Sequence, residues 1–351
     1  MIEFDGIDLS EKELKDINLK STILLNVNLS NTNLENANLE NLKISGDLSG
    51  INMHNTYLFR ADLSNADLSR ANMINTNLTL ANLNKALMTS SDLTDADLFG
   101  TNLTDADLGY IDLTNADLGN ANLTNSNLRY SYLTNADLLG SDLTNAFLRY
   151  ADLTNANLSY AYLTDADLFG TNLTDADLGN ANLTNAFLRY ADLTNADLLG
   201  SDLTNADLRF TYLKNADLGN ANLTNADLLG SDLTNADLFG TNLTNANLRV
   251  ADLTNANLSY AYLTNADLFG TNLTDADLRF ANLTNANLLS SDLTNADLRF
   301  ANLTNANLIS AIFEKTYFTC ESLTNANLIN SIDLQKIHLF DSSMNEVSSC
   351  K

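Results

Sequence analysis

Leucine recurs at every fifth residue along most of this chain, and that spacing excludes the two common periodic structures. From Leu48 to Leu328 the register is unbroken over 57 repeats, and leucine fills 52 of the 57 central positions. The other five are also apolar: Met53, Met73, Met88, Phe313 and Phe318. In an α-helix, five residues advance by about 500°, so the leucines would share no face. In a β-strand, an odd spacing would send successive leucines to opposite faces.

A second position in each repeat is kept for small residues. Two residues before the central leucine stands Ala, or less often Ser or Thr, and one residue before it usually stands Asp or Asn. The unit reads A-[D/N]-L-x-x, as in residues 263–278, LTNADLFGTNLTDADL. A chain that bends by a fixed angle every five residues would point each leucine at a common axis. Stacked coils would then bond through their backbones, as neighbouring strands do.

The A-[D/N]-L-x-x tandem resembles the pentapeptide-repeat family, and the resemblance covers at least residues 48–328. It implies an all-β solenoid, a right-handed quadrilateral β-helix with one pentapeptide per side and four pentapeptides per coil. The unbroken register would make about fourteen coils, spaced ~4.8 Å apart. Because one coil cannot bury its own core, stability is expected to accumulate between neighbouring coils.

Two breaks in the register divide the chain into three predicted segments. Residues 1–47 form an N-terminal cap with offset repeats, 48–330 the continuous β-helix, and 331–351 a C-terminal cap or tail. Upstream, Ile44 to Leu48 is one residue too short, and Gly46 stands where the backbone must adjust. Downstream, Leu328 to Leu334 is one residue too long.

Both ends leave alternatives open. Ser10 with Glu13 matches a helix capping box, so residues 11–16 are predicted to form either a coil or a short helical cap. The tail from Leu334 on is predicted to cover the end of the solenoid, which would otherwise expose unpaired backbone groups. Resemblance to dimeric family members equally implies a homodimer through this C-terminal end.

The net charge of the chain restricts the kinds of partner that it can bind. The chain has 18 Lys and Arg against 44 Asp and Glu, a net charge of −26. Such an excess of acid repels nucleic acid and anionic membrane and attracts cationic partners, so we expect neither nucleic acid nor membrane to be bound directly. No long apolar run or apolar leader indicates a transmembrane helix or a secretory signal. Since Cys320 and Cys350 make no disulfide framework, a cytoplasmic location is expected.

Residues suited to catalysis are not grouped in the sequence. The two histidines, His54 and His338, lie near opposite ends. We find no nucleophile with a base at a recognised spacing, no phosphate-binding glycine loop and no metal-ligand cluster. The sequence therefore predicts a protein that is not an enzyme and needs no cofactor. The prediction is a non-catalytic, acidic, rod-like interaction scaffold with an unknown protein partner.

A second period of ten residues separates uniform from varied positions. From residue 94 to 304, every tenth position holds Thr in 21 of 22 cases, followed by Asn or Asp. Ten residues is half of a four-sided coil, so two opposite sides are expected to carry Thr-Asn ladders and the other two the variation. The candidate interaction surface comprises Arg129, Arg149, Arg189, Arg209, Arg249, Tyr130, Tyr150, Tyr190, Asp137, Asp197, Asp207 and Asp227. The alternative is that the aromatic residues only stack between coils.

Two other functions are weighed against the scaffold. Residues 91–310 hold 28 Asp and no Glu against 8 Lys and Arg. This gives about one net negative charge per 3 Å of rod, around half the density of B-DNA. Some pentapeptide-repeat proteins mimic DNA on type II topoisomerases and confer fluoroquinolone resistance, so the resemblance implies DNA gyrase or another DNA-binding protein as partner. The chain departs from them in its length and in lacking loops within the long register. Ice binding through the Thr ladders is the third and least favoured function.

Overall fold

The computed structural model describes residues 2–323, 326–327 and 336–350. It divides into two compact units, unit 1 (Met1–Asp177) and unit 2 (Leu178–Lys351). Beyond residue 47, backbone bridges within each unit join residues 20 apart, such as Asp97 with Asp117 and Asn102 with Asn122. Four five-residue sides therefore complete one coil, and each unit is a four-sided β-solenoid. No helix occurs in the described parts of either unit.

Most sides are too short to be more than single bridges, and the longer strands occur towards the two ends of the chain. Unit 1 has a parallel sheet of three strands, β1 (Glu3–Asp5), β2 (Ile23–Asn28) and β3 (Lys43–Asp47), in that order. Unit 2 has a sheet of four strands, β4 (Asp297–Leu298), β5 (Tyr317–Thr319), β6 (His338–Phe340) and β7 (Glu346–Val347).

Each corner of a coil is a four-residue β-turn. In the corner from Leu93 to Ala96, the amide of Ala96 donates to the carbonyl of Leu93 at 3.0 Å. The third residue, Asp95, has a φ of 58°, a left-handed conformation that suits Asn, Asp and Gly. The Thr-Asn pairs therefore form corners, and the expectation that they form sides was wrong. Asn or Asp follows Thr in the sequence because this position of the turn has a left-handed φ, which these two residue types accept.

The sides are the Ala-Asp-Leu triplets, and they build the core. The central residues of the repeats from Leu48 to Phe318 are buried, as predicted from their spacing. The small residue two positions earlier is also buried, and its hydroxyl finds a leucine carbonyl in many of the repeats that replace Ala. Ser131 Oγ donates to the carbonyl of Leu128 at 2.6 Å, and Thr101 Oγ1 donates to that of Leu78 at 3.0 Å. These hydrogen bonds allow Ser or Thr in the dry interior.

The upstream register break is accommodated at Gly46, as the sequence predicts. The pairing of β2 with β3 shifts between Leu24 and Val27, and the next bridges join residues 19 apart. Gly46 has a φ of 135°, and a Cβ there would overlap the backbone of Val27. The alternative of a helical cap over residues 11–16 was wrong, because these residues continue the coil and Glu13 bridges Asn33.

The C-terminal strands β6 and β7 extend the sheet of unit 2 beyond β5. Strand β6 pairs in parallel with β5, and β7 returns antiparallel to β6. Asn345 donates from its backbone and side chain to Asp341 in the connecting turn, which lowers the pKa of that carboxyl. The register break at residues 328–334 lies outside the described residues, and the C-terminal homodimer stays a prediction.

Cys320 and Cys350 form a disulfide, which the sequence did not lead us to expect. Their Cα atoms lie 5.3 Å apart, within the usual range for a disulfide, although 30 residues separate them in the chain. The β6–β7 hairpin reverses the chain and returns Cys350 to the coil that holds Cys320. The cytoplasmic location stays a prediction.

Candidate interaction surface

The predicted arginine and tyrosine residues of unit 1 lie on one row of corners. Arg129-Tyr130 and Arg149-Tyr150 occupy the same corner in successive coils. Their tyrosine rings continue a stack from Tyr110, with centroids 5.1 Å apart for Tyr110–Tyr130 and 5.3 Å for Tyr130–Tyr150. The rings are nearly parallel, at 9° and 16°. The stack therefore presents ring edges, not free faces, along its length.

In unit 2, the corresponding corners hold the remaining predicted arginines. The ring of Tyr190 stacks on that of Phe210 at 5.4 Å, and the guanidinium of Arg189 lies 5.4 Å from the centroid of Tyr190. Arg249 shares its corner with Val250, so the aromatic row is interrupted there. Each unit thus brings its own predicted arginine and aromatic residues together on one row of corners.

These aromatic residues occupy a backbone conformation that bulky side chains avoid. Tyr110, Tyr130 and Tyr150 have φ values of 58°, 60° and 58° at the position that other corners give to Asn or Gly. A left-handed residue costs roughly 1–2 kcal/mol, and an aromatic pair returns about 0.5–1.5 kcal/mol. Stacking between the rings therefore offsets the cost of the left-handed backbone without clearly exceeding it. The side chain of Tyr110 is still 59% exposed. The exposed Tyr and Arg side chains are of the types that anchor protein interfaces.

Carboxylates of the following coil pair with many of these arginines. Arg149 Nε lies 2.5 Å from Asp167 Oδ2, and Arg249 Nη1 lies 3.1 Å from Asp267 Oδ2. In both pairs the aspartate follows the arginine by 18 residues. Sequence reasoning missed Asp167 and Asp267. Their constant spacing from arginine was a signal, but only the coil length of 20 gives it meaning.

Two of the four predicted aspartates share this arrangement. Arg209 binds Asp207, two residues earlier in the same coil, with Nη2 to Oδ2 at 2.5 Å. Its Nε lies 3.5 Å from Asp227 Oδ2 of the following coil. The hydrogen bond that Arg209 donates to Asp207 is the main cause that raises the pKa of Arg209 above its usual value. At Arg149, Arg209 and Arg249 the corners therefore consist of ion pairs beside aromatic rings.

The other two predicted aspartates, Asp137 and Asp197, lie on a different side of their coils, in acidic rows. In unit 1 the row is Asp97, Asp117 and Asp137; in unit 2 it is Asp197, Asp217 and Asp237, each bridged to the next. One carboxylate oxygen accepts an amide two residues ahead, as Gly119 donates to Asp117 at 2.8 Å. In the described part of unit 1, Oδ2 of Asp117 and of Asp137 has no hydrogen-bond partner.

Neither a metal-binding group nor a membrane span is found among the described residues. No three His, Cys, Asp or Glu side chains in these ranges come together as a metal site. No helix in the same ranges has the length and apolar character needed to cross a membrane.

A comparison with protein-family models identifies one family. The family model described as "Pentapeptide repeats (8 copies)" matches overlapping or adjoining stretches that run without a gap from residue 13 to residue 344. No curated protein matches the chain.

Several solved structures are similar to the chain. HetL, a pentapeptide repeat protein involved in heterocyst differentiation regulation from the cyanobacterium Nostoc sp. strain PCC 7120, is 34% identical. That alignment covers 64% of this chain and 88% of HetL, with a TM-score of 0.24. The pentapeptide repeat protein alr5209 from Nostoc PCC 7120 is 38% identical over 31% of this chain and 84% of its own, with a TM-score of 0.25. QnrB1, a plasmid-mediated fluoroquinolone resistance protein, is 21% identical over 58% and 89%, with a TM-score of 0.29. Because the TM-scores are low, the fold assignment depends on the family match and on the geometry of the coils.

Proposed function

Because the chain belongs to the pentapeptide-repeat family, we propose that it is a non-catalytic scaffold that binds a cationic surface of a partner protein. The observation that carries this proposal is the acidic row Asp97–Asp117–Asp137 of unit 1, with its counterpart Asp197–Asp217–Asp237 in unit 2. Each coil contributes one carboxylate to the row, so the charges repeat every ~4.8 Å.

The carboxylates of the rows are fixed in place before any partner arrives. Gly119, Leu139 and Gly219 donate backbone amides to Asp117, Asp137 and Asp217 at 2.8, 3.0 and 2.8 Å. These bonds hold one oxygen of each carboxylate and restrict its rotation. A partner that supplies Lys or Arg side chains then meets ordered charges, and less conformational entropy is lost on binding.

Binding of a labelled hexalysine peptide, followed by fluorescence anisotropy, tests the proposal. We expect binding that weakens as salt rises, because exposed charges are screened, and no binding of duplex DNA. The double change Asp117→Asn and Asp137→Asn should weaken binding more than the equal charge loss Asp112→Asn and Asp152→Asn. The control pair shares a side on which Tyr132 interrupts the carboxylates. Equal losses in the two variants would contradict a role for the row.

A second candidate function is mimicry of DNA on a type II topoisomerase such as DNA gyrase. It is favoured by the succession of carboxylates on neighbouring coils within each acidic row. Its support is the family and the density of negative charge. A supercoiling assay with purified gyrase tests it. We expect micromolar protein to inhibit supercoiling and the Asp117→Asn, Asp137→Asn variant to inhibit less. Unchanged supercoiling, with no protection against a fluoroquinolone, would remove gyrase as the partner and leave the scaffold proposal intact.

A further inference from the structure

Four copies of the tetrapeptide Asp-Leu-Phe-Gly occur in the chain, and they differ in what lies on the preceding coil. They begin at Asp97, Asp167, Asp237 and Asp267. In each copy the aspartate is on a side and the phenylalanine is the second residue of the next corner, directly after the buried leucine. The residue that precedes the aspartate by 18 positions stands at the same corner of the preceding coil, next to both side chains. That residue is Thr79, Arg149, Gly219 and Arg249 in turn.

Two of the copies bind an arginine of the chain itself. Arg149 places its guanidinium 5.4 Å from the ring centroid of Phe169 while its Nε bonds Asp167 at 2.5 Å. Arg249 lies 4.4 Å from the ring of Phe269 while its Nη1 bonds Asp267 at 3.1 Å. The same aspartate and phenylalanine therefore hold one guanidinium between an ion pair and an aromatic face, in both units.

A third copy is occupied by a different group. Asp97 Oδ2 accepts the hydroxyl of Thr79 at 2.9 Å and the side-chain amide of Asn77 at 3.2 Å. Its carboxylate is therefore already satisfied on the edge where a guanidinium would bind. This copy is not available to an arginine without displacing both bonds.

The fourth copy, in unit 2, keeps both elements and has no side chain to fill them. Asp237 Oδ1 accepts the amide of Phe239 at 2.9 Å and the side chain of Asn257 at 2.8 Å, whereas its Oδ2 has no partner among the described residues. Phe239 is 43% exposed and touches Tyr260, at 5.5 Å between centroids, on the side of the following coil. The position taken by arginine elsewhere is Gly219, and no cation of the described residues lies over the Phe239 ring.

We propose that Asp237 and Phe239 form a recognition site for an arginine side chain of a partner protein, with Gly219 leaving the space that the guanidinium occupies. The site selects arginine over lysine. A planar guanidinium can stack on the ring and donate to the carboxylate at once, whereas an ammonium is a compact, strongly hydrated charge. This inference rests on the proposed binding of a cationic partner and names the residue type that the partner presents.

Labelled tetra-arginine and tetralysine peptides, compared by fluorescence anisotropy at physiological salt, test the site on the full chain. We expect Phe239→Leu to raise the Kd of tetra-arginine by about fivefold or more and to change that of tetralysine little. We expect Asp237→Asn to raise the Kd of tetra-arginine by a similar factor and that of tetralysine only as much as the loss of one charge from the acidic row requires. Asp232→Asn is the matched control, because it removes the same charge from the preceding side of the chain, where the residue two positions on is Thr234 instead of phenylalanine. Leucine is acceptable at position 239, since Leu139 and Leu199 occupy the equivalent corner in other coils.

The substitution Gly219→Arg tests the same site by supplying an arginine from the chain itself. A Cβ at Gly219 would lie 3.0 Å from Asp217 Oδ1 and 3.1 Å from Leu199 Cδ1, both ends of side chains that can shift. By analogy with Arg149 and Arg249, the new side chain should cover Phe239, bond Asp237 and abolish the preference for tetra-arginine. Gly109→Arg is the control, since it adds the same charge where the next coil offers Arg129 and Asn127 instead of phenylalanine and aspartate.

The outcomes separate this inference from the proposed function. If both peptides bind equally and Asp237→Asn behaves like Asp232→Asn, the arginine site is overturned and the acidic scaffold stands. If neither peptide binds the unmodified protein, the proposed function fails and the site fails with it. Should Gly219→Arg not fold, the comparison of Asp237→Asn and Phe239→Leu with Asp232→Asn still decides.

Discussion

Replacement of Gly46 by alanine is expected to destabilise unit 1 by about 3 kcal/mol or more, a large effect for one methyl group. The added Cβ would overlap the carbonyl oxygen of Val27 and lie 2.7 Å from its backbone nitrogen. Backbone atoms cannot rotate away as a side chain can, and β2 and β3 would have to separate. The φ of 135° is also unfavourable for any residue with a side chain. Urea unfolding, with hydrogen exchange of the β2 amides, measures the loss.

Gly270→Ala is the control for this prediction. Gly270 also has a positive φ, of 64°, but a Cβ there would meet its nearest neighbour, Val250 Cγ1, at an ordinary 3.4 Å. We expect only the cost of the left-handed backbone, roughly 1–2 kcal/mol. A similar loss for both variants would mean that the contact with Val27 relaxes without cost, and it would refute the close approach as the reason for glycine at 46.

Leu138→Ala is expected to cost about 2–5 kcal/mol, whereas the same change at its neighbour Leu139 should cost less than about 0.5 kcal/mol. Leu138 is the central residue of its repeat and is 0% exposed, while Leu139 is the second residue of the following corner and is 41% exposed. Removing the first leaves a cavity between stacked leucines of neighbouring coils. Removing the second takes away a side chain that is largely in water. Urea midpoints of the two variants measure the difference.

Leu138→Met provides a second comparison for the core. Methionine holds the same position at Met53, Met73 and Met88 and is fully buried there, so the stack accepts its shape. We expect a loss below about 1.5 kcal/mol. If Leu138→Ala proved as mild as Leu139→Ala, the leucine stack would not be the main source of stability in unit 1.

The sequence was sufficient for the core because burial follows one strict period. Every central residue from Leu48 to Phe318 is buried, and Gly46 adjusts the register break where one residue is missing. The corners were misplaced although a signal was present. Asn, Asp and Gly recur at the second variable position of the repeat, and these are the residues that accept a left-handed φ. The period of the repeat does not say where a chain turns, and for this reason it predicted sides where the Thr-Asn pairs form corners.

The contacts between coils were harder to predict from the sequence than the core. The pairing of Arg149 with Asp167 joins residues 18 apart, and its meaning depends on the number of residues in a coil, which the five-residue period does not give. The disulfide between Cys320 and Cys350 depends on the direction of the β6–β7 hairpin. In both cases the partner residues are set by how the chain returns, and not by the local pattern of the repeat.

The length of the coil, 20 residues, determines which insertions and deletions keep the contacts between coils. Within a unit, gain or loss of one complete coil keeps every stack, corner row and ion pair in register. A change of ten residues keeps the leucines and the Thr-Asn corners but moves the arginine and aromatic residues to the opposite corner. A change of five keeps only the leucines. Unequal recombination between the near-identical copies can therefore alter the length of the acidic row in single heritable steps, while the type of surface stays the same.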